Sequence, residues 1–230
     1  MAGVTTADGV SAPPRRYRDR GTPLAGYADE VLVRCRRCDA PGCVRVSWQP
    51  YAWRGSFHCA RCGLALDLAS RDWVGPLVYV GHRACGQCGH RWLAPRVEEH
   101  SLTHVRHTHV EMQCPACRKL SAVPVKAHPL FPADHAIDPH FGHPLRLVET
   151  TRHGVVWAYN ARHLTELRAY VSALLRERRG STNRSLISRL PRWIKLAKHR
   201  DIVLKALDRL AAQLVQLQAS KTMDPRRTPD

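Results

Sequence analysis

Apolar positions along the chain follow two rhythms. Up to about residue 157 they alternate or come in short runs, and beyond residue 160 they return every three or four residues. Val31-Leu32-Val33 and the alternating Val44-Arg45-Val46-Ser47-Trp48 predict two half-buried strands. Pro50 and Gly55 bracket the expected turn before the chain returns through Phe57-His58-Cys59. Leu77-Val78-Tyr79-Val80 and the alternating stretch 104–113, HVRHTHVEMQ, predict two more strands. Leu145 to Glu149 and Val155 to Trp157 predict a hairpin around His153-Gly154.

Three helices are expected after that. Asn160 is a suitable N-cap for the first, whose seam is Leu164, Leu167, Val171 and Leu174 and whose end falls at Gly180. Ser188 caps the second, with Pro191 in its first turn and Trp193, Ile194 and Ala197 on its buried side. Asp201 caps the third, whose seam is Val203, Leu207, Leu210, Leu214 and Leu217. This pattern predicts a helical bundle or αα-hairpin. The third seam runs for under three heptads, which favours core packing over a coiled coil with another copy; the oligomeric state stays open.

The cysteines change the picture most. Eight of the nine form four Cys-x-x-Cys pairs: Cys35/Cys38, Cys59/Cys62, Cys85/Cys88 and Cys114/Cys117. Two Cys₄ sets at this spacing point to two Zn²⁺ ions, with iron the rival for a tetrahedral sulfur site. Segments of about 40 residues bury too little to stand alone, and a structural zinc ion contributes about 10–16 kcal/mol of apparent binding energy. Four thiolates close the tetrahedron and leave no position for a reacting water. Sequential sets are expected; a cross-braced pairing of Cys35/Cys38 with Cys85/Cys88 is the alternative. Gly63 and Gly89, just behind their pairs, suit the positive φ such turns require. Cys43 reads as a small apolar residue on a strand edge in preference to a spare ligand. The histidines at 100, 104, 107 and 109, the last three on a predicted strand, and those at 135, 140 and 143 in the connector, are not expected to form a metal site because each site already has four ligands.

The expected fold class is small β zinc ribbons in tandem plus an all-α C-terminal region, α+β overall. The divisions are a disordered arm over 1–30, ribbons over 31–72 and 73–126, and a Pro/His-rich connector with hairpin over 127–158. The helical region spans 159–220 and a tail spans 221–230.

Charge bears on partners. The chain holds 36 Lys and Arg against 19 Asp and Glu, a net charge of +17. The excess falls in residues 31–120, with 13 basic and 6 acidic, and in residues 157–230, with 16 and 6. Arg184, Arg189, Arg192, Lys195, Lys198 and Arg200 are the densest group, with Arg192, Lys195 and His199 expected on one helix face. This favours nucleic acid, DNA or RNA, bound mainly through phosphates. A protein-interaction adaptor without nucleic-acid contact is the alternative. Trp48, Trp53 and Trp92 read as core filling for thin ribbons in preference to base stacking. No phosphate-binding Gly-rich loop, nucleophile elbow or zinc-deaminase pattern occurs, so no catalytic residues are assigned and the chain reads as a non-enzyme. A nuclease built on Asp134, His135, Asp138 and His140 is disfavoured because connector composition explains them. The absence of a signal-peptide core and of a long apolar run implies a cytoplasmic protein without a membrane partner.

The two ribbons, followed by VVWAYNARHLTELRAYVSALLRER and SLISRLPRWIKLAKHRDIVLKALDRL, resemble a group of bacterial zinc-ribbon-containing proteins of no established activity. The ribbons themselves resemble the transcription-factor type. The likeness spans most of residues 31–210 and is most specific at Trp157-Ala158-Tyr159-Asn160 and Leu190-Pro191-Arg192-Trp193. It implies a zinc-ribbon fold and a bacterial, cytoplasmic setting.

Overall fold

The computed structural model describes residues 16–100, 107–134, 136–177 and 183–222, with side chains to residue 217. In chain order its strands are β1 (Arg16–Arg18), β2 (Glu30–Arg34), β3 (Pro41–Gln49), β4 (Ala52–His58), β5 (Ala65–Asp67), β6 (Leu77–Val80) and β7 (Arg96–Glu99). They continue with β8 (His109–Gln113), β9 (Leu120–Pro124), β10 (Lys126–Pro129), β11 (Leu147–Thr151), β12 (Gly154–Ala158) and β13 (Leu175–Glu177). The helices are α1 (Ala161–Ser172), α2 (Leu186–Arg189), α3 (Arg192–Lys195) and α4 (Arg200–Thr222). Small β modules precede a helical C-terminal region, and the chain divides into two units, residues 28–148 and residues 1–27 with 149–230.

In the first unit, ribbon 1 is a four-stranded antiparallel sheet in the order β2-β3-β4-β5. The alternation sets its faces: Val31, Val33, Val44, Val46, Phe57 and Leu66 point inward and are buried, while Arg45, Ser47, Arg54 and His58 point outward. Trp48 pairs with Trp53 beside a turn over Pro50 and Tyr51. Gly55 therefore lies within β4, paired with Val46, and does not bracket the turn. Cys43 sits on central β3 opposite Leu32, with its Sγ 3.4 Å from Glu30 Oε1, so it is not on an edge.

The middle of the connector, up to Arg146, is built into this sheet. Leu145 bridges Val33, Arg34 donates its amide to the Pro144 carbonyl, and Arg146 donates to Leu32. Buried Asp138 organises the bend by accepting amide hydrogen bonds from His140, Phe141 and His143 at 2.6–2.9 Å. His140 Nε2 lies 2.8 Å from the Ala28 carbonyl, and His143 Nδ1 accepts the Arg36 amide against the Phe57 ring. These polar side chains pin a proline-rich segment to a sheet edge, which explains their burial without chemistry.

Ribbon 2 is assembled from less. β6 pairs with both β10 and β7 in the order β10-β6-β7, and β8 pairs with β9. Arg83 and Leu93 exchange both backbone hydrogen bonds around the first cysteine pair. The buried cluster around the cysteines is Cys85, Leu93, Cys114 and Val123, with Met112 and Cys117 against it, and Val78, Tyr79 and Val125 are buried as well. Gly81 permits a close backbone approach, since a Cβ there would meet the Pro124 carbonyl oxygen at 2.0 Å. Of the 104–113 stretch, residues 104–106 lie outside the described residues and the strand begins at His109.

In the other unit, α1 packs along α4 through Leu164, Leu167 and Val171 and through Val203, Leu207 and Leu210, all buried. Asn160 is the N-cap: its Oδ1 accepts the His163 amide at 3.0 Å, and its amide group donates to the Tyr27 carbonyl at 2.8 Å. His163 is buried against Tyr27, Trp157 and Tyr159, which gives the Trp157–Asn160 segment its structural role.

The chain departs from expectation at three places here. First, α1 ends at Ser172, not at Gly180, which lies outside the described residues. The Arg176 guanidinium takes over capping by donating to the carbonyls of Tyr170 and Val171, and it stacks on the Tyr170 ring. Leu174 is therefore beyond the helix and 64% exposed. Second, residues 16–27 of the arm are structured; 1–15 lie outside the described residues. β1 pairs in parallel with β13, Thr22 accepts the Leu186 amide, and Ser185 Oγ donates to Asp19 at 2.6 Å. Third, the second helix is two pieces. Ser185, not Ser188, caps α2, and Pro191 precedes α3 as its N-cap. Extended Leu196 then separates α3 from a 3₁₀ turn at Ala197–His199, so Arg192, Lys195 and His199 do not share one helix. α4 begins at Arg200, which places Asp201 in its first turn.

Candidate metal centres and basic surface

Each cysteine pair sits in a turn of the same construction. The amide of the first cysteine donates to the carbonyl five residues on: Cys35 to Ala40, Cys59 to Leu64, Cys85 to His90 and Cys114 to Lys119, at 2.7–2.9 Å. The amide four residues on returns to that cysteine's carbonyl, from Asp39, Gly63, Gly89 and Arg118. All four of those residues take positive φ, between 58° and 72°. Glycine does this freely at Gly63 and Gly89; Asp39 and Arg118 adopt the same left-handed geometry at a cost.

The four turns bring their thiols together as two sets, Cys35, Cys38, Cys59 and Cys62, and Cys85, Cys88, Cys114 and Cys117. The sets are sequential, which rules out cross-bracing. Within them Cys35–Cys62 and Cys38–Cys59 lie 3.7 and 3.6 Å apart, Sγ to Sγ, and Cys85–Cys117 and Cys88–Cys114 each 3.7 Å. A tetrahedron of sulfurs at the usual Zn–S distance of about 2.3 Å has an edge of about 3.8 Å. Disulfides would need about 2.05 Å, and none is present. Each set is thus suited to hold one zinc ion, with every coordination position taken by protein sulfur.

Backbone amides prepare the ligands. At Cys59, burial opposes ionisation, but the amides of Cys62 and Arg61 outweigh it and bring the thiol down to about 6. At Cys85 the Ser121 hydroxyl, followed by the amides of Gln87 and Cys88, also brings it down to about 6. Burial pushes Cys35 up to about 12. Each site therefore has one thiol biased toward the thiolate form that a cation binds.

The six basic residues of the 184–200 stretch divide. Arg184, Arg189, Arg192 and Lys198 are exposed. Lys195 is half-buried and its Nζ donates to the Ser188 carbonyl at 2.6 Å. Arg200 is half-buried and donates to Ala173 at 3.2 Å. Sequence reasoning missed this division because a local charge count cannot see which carbonyls the rest of the fold leaves for a cation to satisfy.

No helix among the described residues is long and apolar enough to cross a membrane. Comparisons with protein-family models, with curated proteins and with solved structures find no match for this chain.

Proposed function

We propose that the chain is a zinc-ribbon nucleic-acid-binding protein of the bacterial cytoplasm, without catalytic activity, that grips DNA or RNA mainly by its phosphates. The observation that carries this reading is the net charge of +17, with Arg184, Arg189, Arg192 and Lys198 all exposed within one short stretch. Two closed Cys₄ sites fit the same reading, because such zinc holds loops in place and leaves no metal position open for substrate. Lys195 and Arg200 act as struts behind the exposed cations.

The test is an Arg189→Gln, Arg192→Gln double variant in gel-shift titrations across salt. Affinity should fall for all sequences alike, and the slope of log affinity against log salt should shrink by roughly 0.7–0.9 per lost contact. Melting should hardly move, since exposed charges contribute little to stability. Unchanged binding would return this stretch to a solvated surface. Absence of any salt-dependent binding, together with capture of a protein partner, would favour the adaptor reading.

A further inference from the structure

Ribbon 2 carries a surface that thin-core packing does not explain. Leu93 is fully buried, so alternation turns its neighbour Trp92 outward, where it is 66% exposed. Trp92 therefore fills no core. It lines a shallow, open cleft of about 540 Å³ with Cys88, Gly89, His90, Arg91 and Ala116. His82, one strand across, tilts toward Trp92 with ring centroids 6.1 Å apart. That same His82 lines an adjoining cleft of about 600 Å³ together with Lys126 and His128.

The charge in the segments that form these clefts is positive, with Glu98, Glu99 and Glu111 just outside them. Residues 81–97 and 112–130 hold Arg83, Arg91, Arg96, Arg118, Lys119 and Lys126 and no Asp or Glu. Arg83 is committed to the Ala122 carbonyl, and Arg96 to Glu98. Arg91, Arg118 and Lys119 are exposed, and their side chains make no hydrogen bond or ion pair among the described residues. A Zn²⁺ ion with four thiolates contributes a charge of about −2. The surrounding cations exceed that.

We propose that the knuckle end of ribbon 2 is a base-stacking site for single-stranded nucleic acid, with Trp92 as the platform and Arg91 holding the adjacent phosphate. His82 bridges to the neighbouring cleft, where Lys126 receives the next phosphate. A flat exposed indole beside unpaired cations matches a ligand that has π faces and negative charge in alternation. A duplex hides its base faces between neighbours and cannot use Trp92; an acidic peptide offers charge without faces. This inference rests on the nucleic-acid reading above and narrows it to one strand form and one ribbon.

The experiment uses the full zinc-loaded chain with fluorescein-labelled decamers of deoxythymidine and of uridine, a ten-base-pair duplex and a decameric polyglutamate. The wild type should bind at least one single-stranded decamer more tightly than the duplex, the tighter of the two naming the sugar. Trp92→Ala should weaken that binding by roughly tenfold with the salt slope unchanged. Trp92→Phe should restore most of it, and Arg91→Gln should lower the salt slope. Each variant should retain two zinc ions. Single-strand binding unaffected by Trp92→Ala would overturn the stacking site and leave the phosphate reading standing. Failure of the wild type to bind any nucleic acid would sink both. A Trp92→Ala chain that loses zinc would make Trp92 a structural residue and overturn the site, as would equal affinity for polyglutamate.

Discussion

The two ribbons share knuckles and differ in nearly everything behind them. Ribbon 1 places its thiols at the end of a four-stranded sheet, with Val31, Val33, Val44, Phe57, Phe141 and Leu145 almost fully buried. Ribbon 2 closes its site over Leu93 and Val123, and the sulfurs themselves make up half of its buried cluster. Cys88 is exposed, whereas every ligand of ribbon 1 is at least partly covered. Identical ligand sets can thus serve different ends. In ribbon 1 a metal would complete a core that already exists, and in ribbon 2 its ligands are half of the small cluster around the site, with Val78, Tyr79 and Val125 also buried in that ribbon.

The largest effect should come from removing one ligand on each side. Cys114→Ser should release one zinc ion and abolish amide-exchange protection across β8 and β9. Cys59→Ser should also release one, yet leave slowed exchange in β2 and β3. Metal analysis with hydrogen-exchange mass spectrometry reads both. Equal collapse of the two ribbons would break the comparison. A chelator titration should strip the ribbon 2 site first, through exposed Cys88.

A core truncation should separate them next. Phe57 is 1% exposed, and Phe57→Ala should cost about 3–5 kcal/mol in denaturant unfolding while both metals stay bound. Leu93→Ala should cost about 2–5 kcal/mol and weaken zinc retention as well, because Leu93 supports Cys85 and Cys114 directly.

Acid distinguishes ribbon 1 further. Burial, followed by the Arg36 charge, lowers the His143 pKa to about 4. An unfolded imidazole titrates near 6.5, so between about 6.5 and 4 the unfolded chain binds a proton that the folded chain refuses. The His143 contribution to the stability of ribbon 1 therefore falls as pH drops through that window and is constant above it. Ring NMR should find His143 still neutral at about pH 5.5, below its unfolded pKa. A protonated ring there would remove this difference between the ribbons.

The smallest effect tests what the ribbons share. Each has one glycine and one non-glycine at the left-handed position of its knuckles. Arg118→Gly should raise ribbon 2 stability by a few tenths to about 1 kcal/mol, the relief of left-handed strain offset by glycine's extra chain entropy. Asp39→Gly should gain less, because Asp tolerates this region and Asp39 lies 3.3 Å from Arg34. Melting temperatures of the two variants give the order.

What the sequence determined by itself is local and chemical. Cys-x-x-Cys spacing specified two tetrahedral sites, because ligand count and type do not depend on distant residues, and it favoured sequential sets, which the fold then decided against cross-bracing. Alternation in Val44–Trp48 and the 3–4 spacing of Leu164, Leu167 and Val171 specified β3 and the seam of α1, since side-chain periodicity follows from backbone geometry alone. Asn160 was readable as a cap because its partner, the His163 amide, is three residues away. Tertiary structure decided whatever needed a partner far along the chain. The arm became β1 because β13 lies about 160 residues on, and α1 stopped early because Arg176 folds back onto its carbonyls. The connector histidines became pins because Ala28 and Arg36 meet them. Lys195 turned inward and Trp92 outward by the same logic: a side chain's solvent exposure is settled by what packs beside it, and a one-dimensional pattern holds no record of that.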